Sequence, residues 1–184
     1  GLISPDKGIE YVIDALPQVL AQHPDTVYVV VGATHPHIRA RTGEAYRTML
    51  SARAERLGVA PQLVFHNRFV SAEELVDFLS AADVYVTPYL QDQQITSGTL
   101  AYAVGAGKAV ISTPYVYAQE LLADGRGLLV PPRDAKAIGD TLCRVLGDPA
   151  VLTALQEKAG AYGEHMGWPA VAQGYVEPFE RARA

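Results

Sequence analysis

Apolar residues recur along this chain in two alternating spacings, one helical and one extended. Ile9, Val12, Ile13, Leu16, Val19 and Leu20 fall three and four residues apart, which places them on one helical face. Pro17 lies inside that pattern and is expected to kink it or to start a new turn. His23-Pro24-Asp25 stops it. Residues 27–31, Val-Tyr-Val-Val-Val, then read as a strand buried on both faces, as in parallel sheets. Residues 33–42 read as a polar loop, and 44–57 as an amphipathic helix stopped by Gly58.

The alternation continues. Leu63-Val64-Phe65-His66, Asp83-Val84-Tyr85-Val86-Thr87, Ala109-Val110-Ile111-Ser112 and Gly127-Leu128-Leu129-Val130 read as strands. Between them, Ser71-Ala72-Glu73-Glu74 is a capping box that opens a helix through Leu75, Phe78 and Leu79. A short helix runs through Glu120, Leu121 and Leu122. Asp134 caps a helix reaching Leu146, and Asp148-Pro149 opens another. The end of the chain, 167–184, reads as a tail helix weakened by Gly174 and Pro178. Strands and helices alternating with short links predict an α/β fold: a doubly wound parallel sheet flanked by helices, one domain over residues 1–184. Such sheets bind ligands outside the carboxyl ends of their strands. Those ends are residues 4–8, 32–37, 67–69, 87–98 and 113–117.

Residues 91–115 concentrate the chemistry. Gln93, Gln94, Thr96, Ser97, Gly98 and Thr99 precede a small-residue helix that Gly105 and Gly107 end. A helix opening on such residues offers free N–H groups and a positive dipole end to an anion. The alternative is an ordinary N-cap by Ser97 or Thr96. Lys7, in the turn Ser4-Pro5-Asp6-Lys7-Gly8, is either a phosphate-neutralising cation or a solvated lysine at a helix start. His35 in His35-Pro36-His37 faces a ligand or plain solvent, and nothing nearby completes a metal set. Asn67 and Arg68 stand at a strand end; Arg68 holds a phosphate or ribose, or pairs with Glu73 or Glu74.

Composition narrows the classes. A length of 184 residues allows a full layered core, and a net charge of -5 argues against a general nucleic-acid surface. One cysteine, Cys143, excludes an internal disulfide and fits a reducing compartment. No apolar run has transmembrane length. The chain opens at Gly1 almost directly on its first element, from which a longer parent polypeptide is expected.

The chain resembles the C-terminal, nucleotide-sugar-binding domain of family 4 (group 1) retaining glycosyltransferases, which have the two-domain GT-B fold. The carriers are Ser4-Pro5-Asp6-Lys7-Gly8; Tyr28-Val29-Val30-Val31-Gly32; Leu63-Val64-Phe65-His66-Asn67-Arg68-Phe69-Val70; Leu79-Ser80-Ala81-Ala82-Asp83-Val84-Tyr85-Val86-Thr87-Pro88; Ala103-Val104-Gly105-Ala106-Gly107-Lys108-Ala109-Val110-Ile111-Ser112-Thr113; and Gly125-Arg126-Gly127-Leu128-Leu129-Val130-Pro131. The resemblance implies a Rossmann-like domain that binds a nucleoside-diphosphate sugar as substrate, without a metal or other cofactor. It implies an N-terminal domain of the same protein that contributes the acceptor site, and an acceptor that the sequence does not name. The isolated domain is then inactive. The location is cytoplasmic, with any peripheral attachment to the inner membrane made through the missing domain. Lys7 and Gln94 take the catalytic places, and Gly8, His35, Asn67, Arg68, Thr96, Ser97, Gly98, Thr99 and Tyr102 the donor-binding ones. The family usually carries glutamates where Gln94 and Tyr102 stand, and an arginine where Leu2 stands. That departure supports an alternative, a nucleotide-sugar or sugar-binding domain without transfer activity.

Overall fold

Short β-branched runs set the frame. The computed structural model describes residues 1–183. Its strands are β1 (Tyr28–Val31), β2 (Leu63–His66), β3 (Val84–Thr87), β4 (Ala109–Ser112) and β5 (Leu128–Leu129). All pair in parallel: Tyr28 lies opposite Leu63, Val84 opposite Ala109, and Ile111 opposite Leu128. They form two sections, β1-β2 and β3-β4-β5. The segment before the first helix links the sections. Ile3 makes a single parallel bridge to Thr34, and Leu90 donates its N–H to the Asp6 carbonyl at 2.8 Å.

The helices are α1 (Ile9–Gln22), α2 (Pro36–Thr42), α3 (Ala45–Arg56), α4 (Ala72–Ala81), α5 (Gly98–Gly105), α6 (Val116–Leu121), α7 (Ala135–Gly147), α8 (Pro149–Gly163) and α9 (Trp168–Arg183). They cover both faces of the larger section. Ala109 and Ile111 of β4 pack with Val12 and Val19 of α1 and Ile138 of α7; Val110 points the other way, to Leu100 and Val104 of α5. Strand side chains alternate between faces, so a strand buried on both must be apolar throughout. Each fully buried Val, Leu or Ile contributes roughly 1.5–3 kcal/mol of burial. A third cluster joins Ile9, Ile13 and Leu16 of α1 to Val30 of β1 and Leu50 of α3.

The capping box forms as expected: Ser71 accepts from Glu74 N–H at 3.1 Å, and Glu74 accepts from Ser71 N–H at 2.9 Å. Asp134 and Asp148 cap α7 and α8. Three expectations need correction. Helix α1 runs unbroken through Pro17, whose ring lies on the exposed side while Leu16 and Val19 anchor the buried side. Residues 36–42 are helical rather than loop, because Pro36 suits a first helical turn and the His35 ring accepts from His37 N–H at 3.3 Å. Finally, β1 is not covered on both faces. Val29 is 42% exposed and Val64, opposite it, 45%, so one face of the smaller section is open.

Candidate functional site

The carboxyl ends of the strands gather the polar residues, and local backbone geometry fixes them there. After Ile3 the chain makes a tight helical turn over Pro5–Lys7, and Gly8 ends it at φ 63°. A Cβ at Gly8 would lie 2.1 Å from the Pro88 carbonyl, so only glycine allows this approach to the end of β3. The turn places Lys7 Nζ 3.8 Å above the Tyr89 ring and 3.7 Å from an Asp6 carboxylate oxygen. Both contacts are weak, so the ammonium keeps donors for an anion.

Tyr89 in turn stacks on Tyr115, with ring centroids 5.3 Å apart. The Thr113 hydroxyl donates to the Tyr89 carbonyl at 2.5 Å. Tyr115 is buried, and its hydroxyl lies 3.1 Å from the Thr87 hydroxyl. Burial pushes the Tyr115 phenol up, while hydrogen bonds with Thr87, Ser97 and Ser112 oppose that. Ser97 is the N-cap of α5, its hydroxyl accepting from Leu100 N–H at 3.4 Å. An aromatic pair thus ties the Lys7 turn to the start of α5.

At that start, the N–H groups of Gly98 and Thr99 have no hydrogen-bond partner among the described residues, as helix geometry dictates for a first turn. Gly98 and Thr96 are exposed, and Thr99 is half-buried. Gln94 is half-buried. Its side-chain amide N–H donates to the Thr96 carbonyl at 2.7 Å, and its backbone carbonyl accepts from Tyr117 N–H at 3.2 Å. Tyr102 lies one turn into α5 and is 48% exposed.

The remaining candidates stand farther along the same edge. His35 caps α2, stacks on His37 with centroids 5.4 Å apart, and donates its N–H to the Ile3 carbonyl at 2.8 Å. Asn67 is exposed beyond β2. Arg68 forks onto both carboxylate oxygens of Glu74, so of its two readings the structure forms the ion pair. That guanidinium, with Ser71 N–H, holds the Glu74 carboxyl down to about 2. Among the described residues, no three His, Cys, Asp or Glu come together in a metal-like group.

Sequence reasoning passed over several residues. Tyr89 and Tyr115 have a visible signal: Thr-Pro-Tyr occurs twice, at 87–89 and 113–115, after β3 and β4. Arg47 of α3 is buried, donates to the Gly32 carbonyl at 3.0 Å, and lies 5.1 Å from the Phe65 ring centroid. It joins Thr34 and Glu44 in a network beside His35. The Thr34 hydroxyl and Arg47 hold the Glu44 carboxyl below its ordinary range.

The fold is a parallel α/β domain with an unbonded helix start and a turn lysine at one sheet edge, an arrangement suited to an anion. The family model for Glycosyl transferases group 1 matches residues 1–148, and the chain belongs to that family. It is 26% identical over 181 residues to a phosphatidyl-myo-inositol mannosyltransferase of Mycolicibacterium smegmatis, covering 96% of this chain and 42% of that protein. It is 30% identical over 167 residues to a GDP-mannose-dependent alpha-(1-6)-phosphatidylinositol monomannoside mannosyltransferase of the same organism, covering 88% of this chain and 40% of that protein. The chain therefore spans under half the length of these relatives. Among solved structures it resembles HepE of Anabaena in complex with UDP and glucose, at TM-score 0.82 and 20% identity, covering 98% of this chain and 46% of that one. It also resembles the C-terminal domain of a glycosyl transferase group 1 family protein of Francisella tularensis, at TM-score 0.76 and 22% identity, covering 88% and 80%. These two likenesses confirm the Rossmann-like GT-B C-terminal fold. Among the described residues, no helix is long and apolar enough to cross a membrane.

Proposed function

We propose that this chain is the donor domain of a retaining glycosyltransferase and holds a nucleoside-diphosphate sugar at the edge formed by the Lys7 turn and the start of α5. The observation that carries the reading is the Lys7–Tyr89–Tyr115–Ser97 connection, which sets a cation and unbonded N–H groups on one frame. In sugar transfer, negative charge grows on the departing diphosphate. Lys7 and the Gly98 and Thr99 N–H groups oppose that charge with dipoles fixed beforehand, which is how protein sites lower such barriers. No metal enters this scheme. The Gln94 amide oxygen takes no hydrogen bond among the described residues and can accept from a sugar hydroxyl. Tyr102 offers a ribose one hydroxyl. The acceptor and its activating base belong to the rest of the polypeptide, so this chain alone binds donor and transfers nothing.

A second reading is favoured by one observation. Neither Gln94 nor Tyr102 supplies a carboxylate, and the Gln94 amide already braces Thr96. The domain would then bind a nucleotide sugar without transferring it. Full-length protein incubated with UDP-, GDP- and ADP-sugars separates the two: the first reading predicts nucleoside diphosphate release in the presence of an acceptor, the second binding without release.

A further inference from the structure

The start of α3 reaches back to the sheet edge. Thr34 donates its hydroxyl to Glu44 at 2.5 Å, and Arg39 of α2 lies 3.6 Å from the same carboxylate. The Tyr46 hydroxyl donates to Glu10, in the first turn of α1 just after the Lys7 turn. Arg47 donates from one terminal nitrogen to the Gly32 carbonyl at 3.0 Å and to the Thr34 hydroxyl at 3.4 Å. Its Nε donates to Glu44 at 3.3 Å. Thr34, Tyr46 and Arg47 are all buried.

Helix α3 has other anchors. Leu50 and Ala54 join Ile13 and Leu16 of α1 and Val30 of β1 in one apolar cluster. The Arg47 guanidinium is a costly addition to them. Its side chain is 10% exposed, and its second terminal nitrogen has no hydrogen-bond partner among the described residues. Well-packed apolar residues match or better a buried ion pair, so anchoring alone does not account for it. An apolar side chain cannot hold two loop acceptors at once. The Gly32 carbonyl and the Thr34 hydroxyl lie just past β1, on the way to His35. The lacing continues from there. His35 N–H donates to the Ile3 carbonyl at 2.8 Å, Ile3 N–H to the Ala33 carbonyl at 2.9 Å, and Lys7 N–H to the Ser4 carbonyl at 3.0 Å. One guanidinium thus stands behind both His35 and the Lys7 turn.

We propose that Arg47, with Glu44 beside it, is a positioning residue for donor binding. It touches no donor atom. It fixes residues 32–35 against the Lys7 turn, so that His35 and Lys7 meet the nucleoside diphosphate already in place. The inference rests on the donor reading above. A site whose groups are fixed before binding loses less to ordering. Freeing one backbone residue that binding must order again lowers affinity by about tenfold. Lysine is no substitute here, because a single ammonium lacks the fork that spans Gly32, Thr34 and Glu44.

The test uses the full-length protein with Arg47→Met, Arg47→Lys, Glu44→Gln and, as a control on helix α3, Leu50→Val. Isothermal titration with UDP, GDP and ADP, melting temperature and amide hydrogen exchange are read for each. Both Arg47 variants should lose about tenfold in affinity for the nucleotide that the parent binds. Their Ile3 and His35 amides should exchange faster. Glu44→Gln changes a half-exposed residue, so it folds where an Arg47 variant does not, and it should lose about threefold or more. Leu50→Val trims the core and should lower Tm without changing affinity. Affinity within about twofold of the parent in Arg47→Met or, where neither Arg47 variant folds, in Glu44→Gln, overturns the proposal. So does an equal loss from Leu50→Val, or full rescue by lysine. If the parent binds none of the three nucleotides, the donor reading fails by itself and exchange alone judges the brace. Ile3 and His35 amides no faster in Arg47→Met than in Leu50→Val then overturn it.

Discussion

Removing the Lys7 ammonium tests the diphosphate assignment through one atom. Nζ stands 3.8 Å above Tyr89 and 3.7 Å from Asp6, with its side chain 22% exposed. At about 4 Å and an effective dielectric of about 20, a unit charge pair gains roughly 4 kcal/mol before desolvation. What survives for a hydrogen bond to a charged group is about 1.5–3 kcal/mol. Lys7→Met should therefore weaken nucleoside diphosphate binding by about 10- to 150-fold. In the full-length enzyme, where the contact strengthens as the leaving group charges, turnover should fall by about 100-fold or more. The fold should barely notice. The cation–π contact is worth about 0.5–1 kcal/mol and the half-exposed Asp6 pair adds little, so Tm should drop by about 4 °C at most. Isothermal titration with nucleoside diphosphate and with the bare nucleoside reads both sides. The loss should be confined to the diphosphate and should shrink as salt rises. Diphosphate affinity within about twofold of the parent, or an equal loss for the nucleoside, would refute the assignment.

Other perturbations reach the frame around that lysine. Tyr115→Phe removes a buried hydroxyl bonded to Thr87 and should cost about 1–1.5 kcal/mol in urea denaturation; no loss would mean the pair does not tie the loops. Gly8→Ala drives a Cβ into the Pro88 carbonyl at a positive φ and should cost more than about 2 kcal/mol, with loss of nucleotide-induced stabilisation; a neutral result would contradict the close approach. Gln94→Ala in the full-length protein should lower transfer by more than about tenfold, since a hydrogen-bonding contact to the sugar is lost; unchanged kinetics would leave Gln94 as a loop brace only. Glu74 gives a pH signature. Its carboxyl is held down to about 2 from an ordinary 4.5, so its stabilising effect is complete above 4.5 and is lost as pH falls through about 2. The Tm difference between the parent and Glu74→Gln should be full at neutral pH and close across that acid window; a difference constant with pH would refute it.

The order of elements was legible because apolar spacing is dictated by burial, and β4, buried along its whole length, reads as Ala-Val-Ile-Ser with no break. Caps were legible for the same local reason: Ser71, Ser97, Asp134 and Asp148 satisfy N–H groups within three residues of themselves. Long-range partners were not. Arg68 gave no local reason to choose Glu74 over a phosphate, because helix α4 had to be placed before the guanidinium could reach it. The open face at Val29 and Val64 was hidden too, since β-branched strands read alike whether one face or two are covered. Arg47 carries no local signal within α3, and only the third dimension shows its head under Gly32 and beside Phe65. The aromatic tie was written twice, as Thr-Pro-Tyr, but its meaning depends on β3 and β4 being neighbours in register.

The central property is nucleoside diphosphate binding at the edge between Lys7 and α5. A thermal-shift titration of this chain with UDP, GDP, ADP and their sugars measures that directly. At a ligand concentration of about 100 times Kd, binding should add about 2.7 kcal/mol, or roughly 5–10 °C, for at least one nucleotide, and Lys7→Met should lower the response. Melting temperatures that no member of the panel moves, at millimolar ligand, would contradict it.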